Sequence, residues 1–166
     1  MPSTFEQNLT KIANDTKGFK TDYAKLPSDV KAKDTTYRTV ISMIYEAQKA
    51  ITELKGQLKK GSKTAVDDMK KWQGNYPKIY ARLKPCTQEI GKLKTSLEEL
   101  KQDVIKAQKT AEQLNKDAAR SAMGDVKTAA AQLKTVTADL KTLSDGITKQ
   151  LQLLADLPKE PDGVFV

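Results

Sequence analysis

Residues 83–118 read LKPCTQEIGKLKTSLEELKQDVIKAQKTAEQLNKDA, and the apolar positions in that stretch decide the fold. Leu83, Cys86, Ile90, Leu93, Leu97, Leu100, Val104, Ala107, Ala111, Leu114 and Ala118 follow one another in alternating steps of three and four. A helix turns once in about 3.6 residues, so such a ladder forms one apolar seam along a rod. The positions between are mostly Lys, Glu, Gln, Asp and Thr, which belong in water. A rod with one apolar face is stable only when that face is covered by another.

The rest of the chain supplies the covers. Phe5, Leu9, Ile12, Thr16, Phe19, Tyr23 and Leu26 make a similar ladder, opened by Ser3 and Glu6 as a capping box and closed by Pro27. Tyr37, Val40, Ile44, Ala47, Ile51, Leu54 and Leu58 make another, with Ile41 on its flank and Gly61 after it. Val126, Ala129, Leu133, Val136, Leu140, Leu143, Ile147, Leu154 and Leu157 make the last, stopped by Pro158 and Pro161. Between the last two ladders the phase slips at Ser121-Ala122, and Gly124-Asp125 offers a helix stop followed by a cap. A tight helical hairpin is expected there, with a stutter inside one long helix as the alternative.

These readings predict an all-α fold, an elongated antiparallel bundle of about four long amphipathic helices with coiled-coil-like packing. The expected helices cover residues 4–26, 29–60, 86–121 and 125–157, in a single domain spanning 1–166. The last three would each be about 50 Å long. Residues 62–85 fit less cleanly. Gly74-Asn75-Tyr76-Pro77 reads as a turn and Pro85 as a breaker, yet Ala65, Met69, Trp72, Tyr76, Ile79 and Leu83 keep the heptad spacing. A basic, Gly/Pro-interrupted connector at one end of the bundle is expected, with one long bent helix as the alternative.

Composition narrows function by exclusion. The chain has no histidine, which removes imidazole bases, Ser-His and Cys-His pairs, and histidine metal ligands. Its single cysteine, Cys86, forms no intramolecular disulfide and no Cys-based zinc site; its place on the ladder suggests a structural thiol. Gly56–Thr64 reads GQLKKGSKT and only superficially resembles a phosphate loop, since no strand precedes it and the lysine is displaced. Asp67-Asp68 and Glu98-Glu99 are helix neighbours about 100° apart, so neither pair converges on a proton or a metal. No catalytic centre, cofactor or metal is expected. No run of residues approaches the 18 apolar residues of a membrane span, and no signal peptide is visible, so a soluble protein of unknown compartment is expected.

The charge is concentrated. Residues 55–94 carry eleven basic and three acidic side chains, net +8, which equals the formal charge of the whole chain. Lys59, Lys60, Lys63, Lys70, Lys71, Lys78, Arg82 and Lys84 are interleaved there with Trp72, Tyr76 and Tyr80. Lysine docks on anionic surfaces as a flexible point charge, and the near-absence of arginine argues against sequence-specific nucleic-acid reading. The expected function is a non-enzymatic interaction or assembly protein that presents a basic pole, Lys59 to Lys84 with Trp72, to an anionic or protein partner. A peripheral membrane-binding or membrane-active helical protein and a carrier of small apolar ligands are the alternatives. Homo-oligomers are compatible with the seams. The tail after Pro158 ends Gly163-Val164-Phe165-Val166 and is expected either to fold back on the bundle or to serve as a linear motif for a partner's groove.

Overall fold

The computed structural model describes residues 4–120 and 124–163, with side chains outside 124–128. The described residues are helical almost throughout, with no strand among them. Five helices follow in order: α1 (Thr4–Ala24), α2 (Leu26–Lys59), α3 (Lys63–Tyr80), α4 (Leu83–Arg120) and α5 (Gly124–Ala155). Three exceed thirty residues, namely α2 with 34, α4 with 38 and α5 with 32. The count of long helices is therefore three rather than about four.

Each joint is written in local chemistry. Pro27 does end α1, but only Lys25 lies between α1 and α2. The proline falls in the first turn of α2, where a missing N–H is not needed. Gly61 adopts φ +83°, the left-handed conformation that closes a helix cheaply only with glycine. The Gly61 and Ser62 N–H groups donate to the carbonyls of Leu58 and Gln57 at 3.0 and 3.1 Å. Ser62 then caps α3, its hydroxyl accepting from the Ala65 N–H at 3.3 Å. Pro85 lies in the first turn of α4 and breaks nothing.

The segment 62–85 is corrected by the structure. It is not a connector with a turn at Gly74–Pro77; it is helix α3, eighteen residues long, with Pro77 inside it. The helix is interrupted instead for two residues at Ala81-Arg82, where the Ala81 N–H still donates to the Pro77 carbonyl. Gln48 meets Tyr76, Met43 meets Arg82 and Lys33 pairs with Glu89, so α3 runs on into α4 in one direction along α2, as the bent-helix alternative expects. An interior proline costs a helix about 3 kcal/mol. Here Ala65, Met69 and Tyr76 are buried on one side of α3, with Trp72 and Ile79 packed beside them, and that burial outweighs the lost hydrogen bond.

The packing gathers the helices into two compact units. The first comprises residues 1–29 and 93–155, so it holds α1, most of α4, and α5. Its core is Leu9, Ile12 and Ala13 with Leu97, Val104, Ala111 and Leu114, and with Leu133, Leu140 and Ile147. The Asn115 amide donates to the Thr137 hydroxyl at 3.2 Å, which brings α4 and α5 side by side there. Residues 121–123, where the tight hairpin is expected, lie outside the described residues. Lys20 pairs with Asp139 at 2.7 Å and the Tyr23 ring rests on Gly146, so α1 and α5 run in the same direction. Thr16, a polar residue on the ladder, is buried with its hydroxyl donated to the Ile12 carbonyl at 2.7 Å.

The second unit comprises residues 30–92 and 156–166. Its core is Val30, Tyr37, Val40, Ile41, Ile44, Ala47, Ile51 and Leu54 from α2, Ala65, Met69 and Tyr76 from α3, and Leu83 from α4. Leu58, Trp72, Ile79, Tyr80, Cys86, Ile90 and Leu157 pack around it. Gln48 of α2 meets Tyr76 of α3, as the reversal at Gly61-Ser62 demands of an antiparallel pair.

Two glycines give opposite expectations. Gly91 has open space where a Cβ would stand, whereas a Cβ on Gly146 would lie 2.5 Å from Tyr23 Oη and 2.9 Å from its Cζ. In thermal melts Gly91→Ala should stabilise by up to about 1 kcal/mol, the helix-propensity gain. Gly146→Ala should give no gain, because Tyr23 must move. Equal gains at both would mean that Tyr23 does not rest on Gly146. Leu97→Asp or Leu140→Asp should prevent folding, since each side chain is fully buried and an unpaired buried charge costs several kcal/mol.

Candidate functional site

Two features of the second unit carry chemistry: the solvent side of α3 and the groove that holds the tail. On α3, successive residues rotate by about 100°, so Lys63, Lys70, Lys71 and Lys78 fall within about 100° of one another. They lie opposite the buried Ala65, Met69 and Tyr76 and extend along about 22 Å of helix. Asp67 shares this sector. Lys59 and Lys60 stand at the end of α2 beside the turn into α3; Arg82 and Lys84 stand at the opposite end of α3. The expected basic residues lie in a stripe along a helix and at its two ends, all within the second unit.

Lys59, Lys60, Lys63, Lys70, Lys71, Lys78 and Lys84 are all exposed, and none makes an ion pair among the described residues. Arg82 is exposed, its guanidinium 4.0 Å from the Met43 sulfur. Trp72 is different. Its ring is half-buried against the core and lines a surface groove of about 390 Å³ with Ala50, Glu53, Leu54, Gln57, Asp68, Lys71 and Asn75. Cys86 is half-buried on the same core. Among the described residues no cluster of acidic or sulfur side chains could hold a metal ion. No helix there is long and apolar enough to cross a membrane. The phosphate-loop look-alike at 56–64 is the turn between α2 and α3.

The second feature was half-seen in the sequence. The tail folds back over residues 157–163, held by tyrosines that read as ordinary ladder residues; residues 164–166, its apolar end, lie outside the described residues. Tyr37 Oη donates to the Pro158 carbonyl at 2.7 Å, Tyr80 Oη to the Pro161 carbonyl at 3.1 Å, and Tyr76 Oη to the Asp162 carbonyl at 2.8 Å. Tyr76 is held in turn by the Gln48 amide at 3.0 Å, and its ring stands 6.4 Å from that of Tyr80. Thr87 donates to the Glu160 carboxylate at 3.1 Å. Pro161 is buried and Leu157 packs on the core, while Lys159 and Glu160 point to solvent. Gly163 lies so close to Tyr80 that a Cβ there would stand 3.1 Å from the ring.

Burial, and secondly the carboxylate of Glu160, push the Tyr37 and Tyr80 hydroxyls above the ordinary tyrosine value of 10.0. The folded state thus favours the protonated phenol, the form that donates. No family model, curated protein or solved structure matches this chain.

The clamp has a pH signature. A folded-state value raised above the unfolded one means that the folded state binds more protons in the interval between them. Its stability contribution is whole below the unfolded value of about 10 and is lost as pH rises through the folded values. Melts recorded from neutral to strongly alkaline pH should show this loss, and Tyr37→Phe with Tyr80→Phe should flatten it. At neutral pH, Tyr76→Phe should cost about 1–2 kcal/mol, because it strands a tail carbonyl and the Gln48 amide.

Proposed function

We propose that this protein is a non-enzymatic helical interaction protein that docks on an anionic surface through the lysine stripe of α3 and the basic residues at its two ends. The observation that carries this reading is the exposure of seven lysines without an ion-pair partner among the described residues, four of them on one side of one helix. Like charges held side by side repel one another, so the arrangement lowers stability slightly and is repaid by an anionic partner. A linear stripe suits an extended or planar anion: a membrane surface, a polyanion or an acidic face of another protein. Lysine supplies charge without the fork geometry that reads a particular group. Trp72 contributes to the fold rather than to docking in this reading, since its ring is turned onto the core.

A lysine near an anionic bilayer contributes about 1 kcal/mol, so four in line amount to about a thousandfold in affinity. The protein should bind vesicles containing anionic phospholipid at low salt and leave them as salt shortens the Debye length below about 8 Å. Lys63, Lys70, Lys71 and Lys78 changed together to Glu should abolish binding with the helical circular-dichroism spectrum intact. Trp72→Ala should lower the melting temperature and leave binding by the folded fraction unchanged. Failure of the unaltered protein to bind vesicles or a polyanion at low salt would end this reading.

A further inference from the structure

The tail is held by its main chain as well as by the side chains of Leu157, Glu160 and Pro161. Three phenol donors reach three main-chain carbonyls, those of Pro158, Pro161 and Asp162. Proline offers a carbonyl and no N–H, so a groove whose phenols donate to carbonyls suits a proline-bracketed segment. In an extended left-handed helix of three residues per turn, positions three apart share a face. The tail follows that pattern: Pro158 is half-buried and Pro161 buried, with Lys159 and Glu160 outward. Aromatic grooves recognise Pro-x-x-Pro segments by this combination of shape and carbonyl hydrogen bonds.

The groove is also larger than its occupant. Beside the tail lies an open cavity of about 410 Å³ lined by Tyr80, Ala81, Leu83, Lys84, Thr87 and Gln88, with Glu160 at its edge. Tyr80 and Leu83 give it an apolar floor, and the residue that the tail presents there is a carboxylate. The same tail donated by a second copy would leave the same space.

We propose that this groove is a recognition site for a proline-bracketed extended segment of a partner protein, occupied by the chain's own tail until such a segment displaces it. The partner's segment places its carbonyls on Tyr37, Tyr76 and Tyr80 and an apolar side chain where Glu160 now stands. The site is separate from the lysine stripe, and its test does not depend on anionic binding.

The test uses the full chain, unaltered and with Pro158→Ser and Pro161→Ser to loosen the tail, and a fluorescent peptide copied from residues 156–163. The loosened chain should bind the peptide. The unaltered chain should bind about tenfold or more weakly, because its tethered tail competes at an effective concentration in the millimolar range. Tyr80→Phe in the loosened chain should weaken binding about fivefold, as for one lost hydrogen bond. Tyr37→Phe gives the same reading if Tyr80→Phe fails to fold. A peptide carrying Glu160→Phe should bind about threefold or more tightly by filling the cavity.

Four results would overturn the proposal. They are a folded loosened chain that ignores the peptide, equal binding of a peptide with both prolines changed to serine, and tighter binding of the native peptide than of its phenylalanine form. The fourth is a mass that rises with concentration in the unaltered chain but not the loosened one, which would assign the groove to a second copy.

Discussion

One apolar seam on α4 serves two cores. Leu83 is buried with α2 and α3, while Leu97, Val104 and Leu114 are buried with α1 and α5. All stand on the same alternating ladder of threes and fours. Shifting the helix by one residue would rotate every one of these side chains by about 100° and expose both sets together. The register of α4 is therefore set twice over, and the residues that occupy it need only be apolar and of suitable size. The joints between helices are correspondingly short: one residue at Lys25, three at Lys60–Ser62 and two at Ala81-Arg82.

Where the chain announced its structure, it did so through period and punctuation. The α4 ladder, the stop at Gly61 and the cap that follows it at Ser62 all rest on neighbours within a few residues, so they are readable without a fold. The misreading at Gly74–Pro77 has a definite cause. A proline there weakens a helix locally, but Tyr76 and Trp72 gain burial against the α2 core, whose Gln48 stands 28 positions from Tyr76. Local rules carry no knowledge of that gain. A single ladder likewise gives no sign of where one set of partners ends and another begins.

The basic residues were easy to find and hard to place. Their number follows from composition, but their arrangement as a stripe follows only once 63–80 is known to be helical, since an irregular connector would have bunched them. The tyrosine clamp was less accessible still. Tyr37 and Pro158 are 121 positions apart, and nothing near Tyr37 distinguishes a phenol that holds a carbonyl from one that merely fills a core. The signal available was the coincidence of a proline-bracketed tail with tyrosines on two inward faces. Phenols on a buried face need partners, and a proline-rich tail has carbonyls to offer.

The position of Trp72 has an optical consequence. It is the only tryptophan in the chain, and its half-buried ring packs on the core shared by α2, α3 and the start of α4. Tryptophan emission therefore reports the solvation of that core and is blind to the one built by α1, α5 and the remainder of α4. Far-ultraviolet ellipticity weighs every helix by its length and so sums the two. A single unfolding curve seen by emission describes half of this molecule, and only its coincidence with the ellipticity curve makes it a statement about the whole.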